Sequence, residues 1–373
     1  MLTSEPRVAF IQDALPFWGG AESTLGAALE LFPRAPVYTL IYNPMAFENT
    51  TISHRKIYTS FINRLPAART KYRNYLPLFP LAIEQFDLRE FDILFSFNYA
   101  VANGVLPRPE QYHISYTHAP LRYAWHSYHE YMNGNNPRLK TWAMRILFHY
   151  LRNWDTSAAS RVDTFVAPSR WVSRCIWRAY RRKSQVIYPP VDTEAFQPSL
   201  TRDEYYVAVS RMSPHKKVSL IVEAFARLGL PLLVIGDGME YQRLSKRITP
   251  NIQLLGRQPG NTVRELLEKA KGFVHAAEED FGIALVEAQA AGCPVIAYGG
   301  GGASETVIPG KTGILYPEQS VECLVDTIQA YETCQGQFKP EDLYNNARRF
   351  SKGNYQRKIL ALIEREWKPT HYL

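Results

Sequence analysis

A chain of 373 residues is too long for one ordinary hydrophobic core, so two domains are expected. A hydrophobic content of 46% with 21% charged residues excludes a disordered chain, and no apolar run reaches the ~18 residues that a membrane-spanning helix needs. The formal net charge of +8 belongs almost wholly to the first half: residues 1–199 carry 22 Lys/Arg against 15 Asp/Glu, and residues 200–373 carry 21 against 20.

MLTSEPRVAFIQ enters a strand-like segment, RVAFI (7–11), without the basic flank and apolar core of a secretory signal. Cys175, Cys293, Cys323 and Cys334 show no CxxC spacing, so a reducing, cytoplasmic address is expected. A loop with Gly19 and Gly20 follows the first strand. Helical spacing then runs from Ala21 to Leu31, with Leu25, Ala28, Leu29 and Phe32 on one face. VYTLIY (37–42), DILFSF (92–97), HISYT (113–117) and TFVAPS (164–169) are further strands. Arg138 to Ser157 and Trp171 to Tyr180 are helices, and QVIY (185–188) closes the first half.

Two basic segments lie in this half. Arg64, Arg69, Lys71 and Arg73 alternate with Leu65, Tyr72, Tyr75, Leu76 and Phe79, and Arg170 to Lys183 carry Trp171, Trp177 and Tyr180. Such segments fit an anionic membrane surface on the cytoplasmic face of the plasma membrane. They fit equally a solvated helix face whose aromatics turn to the core. No groove-reading or RNA-stacking motif is present, so nucleic acid is not an expected partner.

Residues 189–203, PPVDTEAFQPSLTRD, are proline-rich and without periodicity, the pattern of an interdomain linker. Beyond them the rhythm restarts. YYVAVS (205–210), a helix from Val218, LPLLVIG (230–236), a helix near Met239, NIQLLG (251–256), a helix from Thr262, GFVHAA (272–277) and PVIAY (294–298) succeed one another. Strands alternating with helices predict a parallel sheet covered on both faces. The fold class is therefore α/β, two doubly wound Rossmann-like domains whose ligands bind at the carboxyl edges of the sheets, in the cleft between them. The expected division is 1–188, the linker 189–203, 204–352, and a last helical segment 353–373 that packs back on the N-terminal domain.

The chemistry concentrates in EEDFGIALVEAQAAGCPVIAYGGGGASE (278–305). Glycines let backbone N–H groups approach phosphate oxygens, and carboxylates accept hydrogen bonds from ribose and sugar hydroxyls. Arg211 supplies a fork of donors and Lys216 a point charge, suited to phosphate oxygens; Lys217 serves instead if the register slips by one. The GDG of 236–238 lacks the third glycine of a dinucleotide loop and is read as a loop near the nucleotide base. No Asp-x-Asp segment suggests a metal, so metal-independent chemistry without a cofactor is expected.

GGAE (19–22), SRMSPHKK (210–217) with its Arg-x4-Lys, EEDFGIALVE (278–287) with its Glu-x7-Glu, and GGGGASE (299–305) together resemble the retaining GT-B glycosyltransferases of family 4, over nearly the whole chain. YTHAPLRYAWHSYHEY (116–131) and VIYPPVD (186–192) are most similar to a bacterial branch that transfers sugars, often mannose from GDP-mannose, to lipid-linked or polysaccharide precursors. The resemblance implies a hexosyltransferase taking a nucleotide-sugar, GDP-mannose first and a UDP- or ADP-sugar as alternatives, with a lipid-linked or saccharide acceptor. It implies catalytic roles for His118, Arg211, Lys216 and Glu279. Donor contacts fall on Gly19, Gly20, Gly282, Glu287, Gly300, Gly301, Gly302 and Glu305, and acceptor contacts on Glu22, Arg122, Trp125 and His126. Glu22 serves equally as a helix cap, Glu305 as a first-turn acid, and Gly299 as a turn residue. A nucleotide-sugar epimerase or glucan phosphorylase on the same fold, a nicotinamide-dependent oxidoreductase and a hinged binding protein are the competing readings. The absence of GxGxxG after RVAFI weighs against the oxidoreductase.

Overall fold

The computed structural model describes residues 6–132, 137–199 and 201–367. Residues 1–5 of the N-terminal segment, Leu200 of the expected linker and residues 368–373 of the expected C-terminal segment lie outside the described residues. The chain divides into two compact units, one made of residues 1–188 and 356–373, the other of 189–355.

The first unit is built on β1 (Val8–Gln12), β2 (Val37–Thr39), β3 (Ile57–Thr59), β4 (Ile93–Asn98), β5 (Tyr112–Thr117), β6 (Thr164–Ala167) and β7 (Ser184–Val186). They form one sheet in the order β3-β2-β1-β4-β5-β6-β7, every pair parallel. The second unit holds β8 (Tyr206–Val209), β9 (Leu232–Ile235), β10 (Ile252–Gly256), β11 (Gly272–His275), β12 (Val295–Tyr298) and β13 (Gly313–Tyr316). Their order is β10-β9-β8-β11-β12-β13, again all parallel. Each is a doubly wound sheet. The strand order reverses between β1 and β4 in the first and between β8 and β11 in the second, which fixes where loops diverge to leave a binding crevice.

Strand alternation builds two cores in the second unit. Tyr206, Ala208, Val234 and Val274 face one side, against Ile221, Val222 and Phe225 of the helix Val218–Leu228 and Leu324, Ile328 and Tyr331 of the helix Val321–Cys334. Val207, Phe273, Val295 and Ala297 face the other, against Leu267 and against Leu285 and Ala288 of the helix Ile283–Ala290. Strands buried on both faces read as near-continuous apolar runs, and these do.

The proline-rich segment is not a free connector. Val191 N–H bonds Phe350 C=O, Gln197 N–H bonds Glu268, and Arg202 bonds the carbonyls of Ala270 and Gly292, so the segment lies on the second unit. The segment also holds a short 3-10 turn, Thr193–Ala195, and Val191 forms an isolated parallel bridge with Ser351. The last helix, Lys352–Glu366, returns to the first unit. Gln356 Nε2 donates to Ala27 C=O (3.0 Å) and Glu30 Oε2 (2.9 Å), Arg365 to Gln185 (2.6 Å), and Tyr112 OH to Glu366 (3.2 Å).

Candidate functional site

In the second unit the loop leaving β8 and the loop leaving β11 stand on either side of the strand-order reversal. The β8 loop carries Arg211, two residues past the strand, and ends in the short 3-10 turn Pro214–Lys216. The GDG segment buttresses it. Met212 N–H bonds Asp237 C=O (2.9 Å) and Glu240 N–H bonds Met212 C=O (3.1 Å). A Cβ at Gly236 would collide with Ser210 C=O, and one at Gly238 with the Met212 backbone. These glycines are needed so that two loops can touch.

Lys216 Nζ lies 2.6 Å from Glu279 Oε1, and His275 Nε2 lies 3.1 Å from the same oxygen. Lys216 is therefore the lysine paired with Glu279; Lys217 sits in the left-handed region (φ 53°) and precedes the next helix. Burial pushes the Glu279 carboxyl up, but the Lys216 ammonium and His275 outweigh it and hold the group well below the usual carboxylate range. A carboxylate favoured in its ionised form therefore stands beside a lysine at the sheet's carboxyl edge, with side-chain exposures of only 16% and 21%.

The acidic loop and the glycine loop are laced together. Glu279 bridges Gly301 in parallel register, and Gly302 N–H donates to Glu279 C=O at 2.7 Å. Gly301 has φ +65°, and a Cβ there would strike Glu279 C=O; one at Gly302 would strike the Phe281 backbone. Gly300 is closed by the Tyr298 ring, and Gly299 N–H bonds Tyr316 C=O. The glycines serve the approach of one loop to another, and the Gly302 amide is already engaged. Gly282 (φ +89°) begins the helix Ile283–Ala290, and Glu305 lies in the first turn of Ala303–Thr306. Glu287, on the helix begun by Gly282, is half-buried; burial, with the Asp192 carboxylate adding to it, pushes its carboxyl up to about 7.

The first unit presents a separate set. Glu22 stands in the first turn of the helix Gly20–Leu29 with its carboxylate close to Gly19, where the backbone N–H groups of Gly19 and Glu22 draw its pKa down. Burial raises it to about 7 even so. Sequence reasoning missed Asp13, at the end of β1. Its carboxylate accepts four successive backbone N–H groups, from Tyr99, Ala100, Val101 and Ala102, and fixes the loop that leaves β4. The signal was available: an acid directly following VAFIQ has to find donors or stay out of the core.

His118 N–H bonds Asn98 C=O at 2.8 Å, its ring packs on Tyr116 and Phe97, and burial pushes the imidazole down to about 4. Its Nε2 is buried without a hydrogen-bond partner, as are both amide atoms of Gln12 and the Asn98 Nδ2. These residues end, or directly follow, the adjacent strands β1, β4 and β5. Trp125 Nε1 donates to the buried Asp155 (2.8 Å), which also accepts from Tyr180 OH (2.9 Å), so the indole ties its loop to the core. Arg122 is half-buried and His126 exposed in the same loop.

Of the two basic segments, the first turns Leu65, Tyr72, Tyr75 and Leu76 against the core and leaves Arg64, Arg69, Lys71 and Arg73 exposed. In the second, Trp177 is exposed with Arg181 over its ring, while Tyr180 is buried. Among the described residues no group of three His, Cys, Asp or Glu is placed to hold a metal ion, and no helix is long and apolar enough to cross a membrane.

Two doubly wound parallel sheets, the second carrying a cation, carboxylates and a glycine loop at its carboxyl edge, define the GT-B architecture. Residues 18–195 match the model described as Glycosyltransferase Family 4, and residues 191–350 the one described as Glycosyl transferases group 1. Between them these matches run from residue 18 to residue 350, and the chain belongs to the family 4 glycosyltransferases. A GDP-mannose-dependent alpha-mannosyltransferase of Mycolicibacterium smegmatis is 30% identical over 188 residues, 46% of this chain and 48% of that protein. An uncharacterized glycosyltransferase of Methanocaldococcus jannaschii is 27% identical over 202 residues, 52% and 56% of the two chains. The chain spans about half the length of these curated relatives. Among solved structures, Anabaena HepE in complex with UDP-glucose shares the fold at a TM-score of 0.71 and 18% identity, covering 96% of this chain and 99% of that one.

Proposed function

We propose that the protein transfers a hexose, mannose from GDP-mannose, to a lipid-linked or polysaccharide acceptor. The observation that carries the reading is the Lys216–Glu279 pair across the strand-order reversal of the second sheet, laced to the glycine loop. The named relative from Mycolicibacterium supports mannose and GDP, whereas HepE, by its bound UDP-glucose, keeps a UDP-sugar as the second donor.

In this reading Lys216 and Arg211 bind the donor diphosphate, Glu287 accepts the ribose hydroxyls and Glu279 the hydroxyls of the sugar. As the bond from the anomeric carbon to the diphosphate oxygen breaks, negative charge grows on that oxygen. The two cations stabilise it more strongly in the transition state than in the ground state. The acceptor hydroxyl attacks the anomeric carbon from the same face, and its proton passes to the departing phosphate oxygen. Configuration is thereby retained without a covalent sugar–enzyme bond, and Arg and Lys do the charge work. The buried, unpartnered His118 Nε2 supports a polar ligand on the first sheet's edge, where the neutral imidazole hydrogen-bonds a sugar hydroxyl. Contact with the cytoplasmic membrane surface belongs to this reading through the lipid-linked acceptor.

The test is incorporation of labelled mannose from GDP-mannose into a lipid extract, with UDP-glucose and ADP-glucose as competing donors. Label in the lipid phase that Lys216→Ala abolishes supports the reading. Release of free mannose or mannose phosphate alone, or no turnover of any nucleotide-sugar, refutes it.

A further inference from the structure

The helix Arg138–Ala159 buries one face and shows a second apolar face to solvent. Phe148, Leu151, Asp155, Ala158 and Ala159 are buried, and Met144, Leu147 and Trp154 pack against the core. That suffices to hold the helix in place. On the opposite side Leu139 is 79% exposed, Trp142 62%, Ile146 51% and Tyr150 48%. Steps of three, four and four residues put these side chains on one stripe, about 16 Å long at 1.5 Å rise per residue. Scattered exposed apolar residues are normal, but a continuous stripe led by tryptophan marks an interaction surface.

Charge selects the partner. Between Arg138 and Trp154 the sequence has no Asp or Glu, and its exposed charged groups are Arg138, Lys140 and Arg145. A second copy would bring the same cations against these, so self-association on this face is opposed by like charge. An anionic lipid surface meets both properties at once: the apolar stripe enters the acyl boundary while the cations stay among the headgroups.

We propose that the exposed face of Arg138–Ala159 is the element that docks this chain on anionic membranes. This locates the membrane contact away from the basic segment at 64–79, whose aromatics, with Leu65 and Leu76, are committed to the core. The inference shares with the proposed function only the membrane setting, and its readout needs no transfer activity.

The experiment is sedimentation of the full chain with phosphatidylcholine vesicles, with and without phosphatidylglycerol. Wild type is expected to pellet with the mixed vesicles and not with neutral ones. Trp142→Glu/Ile146→Glu should lower the partition coefficient by about tenfold or more. Arg138→Gln/Lys140→Gln/Arg145→Gln should lower it by roughly a hundredfold at low salt. Both variants change only exposed side chains, so their melting temperatures and donor binding should match wild type. Three outcomes would overturn the proposal. One is partitioning unchanged in both variants; another is partitioning lost only in Arg69→Gln/Lys71→Gln/Arg73→Gln. The third is a lipid-free dimer that Trp142→Glu dissolves, which would give the face to a second copy.

Discussion

Lys216→Ala separates the contact that the structure shows for one ammonium group from the role proposed for it in transfer. At rest it holds Glu279 Oε1 at 2.6 Å with both side chains largely shielded. A hydrogen bond between two charged groups is worth about 1.5–3 kcal/mol net, and partial exposure puts this one toward the lower figure. Its loss should lower the melting temperature of the second unit by roughly 3–8 °C. In the proposed reaction the same group stabilises a developing diphosphate charge, and deleting one such donor costs about a hundred- to a thousandfold in kcat. KM for the donor should move less than about tenfold, because the contact strengthens mainly in the transition state. Glu279→Gln should match the stability loss with a smaller fall in kcat, and Lys216→Ala/Glu279→Gln should be clearly non-additive in stability. Steady-state kinetics with GDP-mannose, with thermal and urea unfolding of the three variants, give all the numbers. A kcat within threefold of wild type, or additive stability losses, would refute the assignment.

Glu287, raised to about 7 from an ordinary 4.5, binds more protons folded than unfolded between those values. Stability should therefore fall as pH rises through that window, and donor affinity should rise as the carboxylate forms. Glu287→Gln should lessen the slope of the stability profile, to which Glu22, also raised to about 7, contributes, and flatten the affinity profile, measured by urea unfolding and by titration calorimetry with GDP. Gly301→Ala places a side chain at φ +65° and against Glu279 C=O, so it should destabilise by more than about 1–2 kcal/mol. Its kcat/KM should drop more than tenfold if the acidic loop shifts with it. Wild-type kinetics would show that the lacing is unrelated to the site.

Much of this architecture was legible in the chain because parallel strands buried on both faces leave near-continuous apolar runs such as VIAY and LLVI. The edge strands Ile57–Thr59 and Gly313–Tyr316 escaped notice. They are short, and Ile57–Thr59 is poorly buried, so no periodicity marks them. Lys216 and Glu279 could each be nominated from spacing, but their contact spans 63 residues and exists only through the fold. The reason for the glycines was hidden for the same cause. Gly301 and Gly302 fit the Glu279–Phe281 backbone, and Gly236 and Gly238 fit the Arg211 loop, pairings that no local pattern encodes. Asp13 likewise draws its four N–H donors from residues 86 to 89 positions away. The helix Arg138–Ala159 was plain from periodicity, yet which of its two apolar stripes faces inward is decided by packing alone.

The central claim is that the second unit holds a nucleotide-sugar against Lys216, Glu279 and Glu287. Thermal unfolding of the full chain with GDP-mannose, GDP, UDP-glucose and ADP-glucose tests it most directly, because a ligand that binds only the native state at a hundred times its Kd adds about 2.7 kcal/mol. The account predicts a clear upward shift with GDP-mannose and GDP that Glu287→Ala removes. No shift with any of the four, or a shift that Glu287→Ala leaves intact, would contradict it.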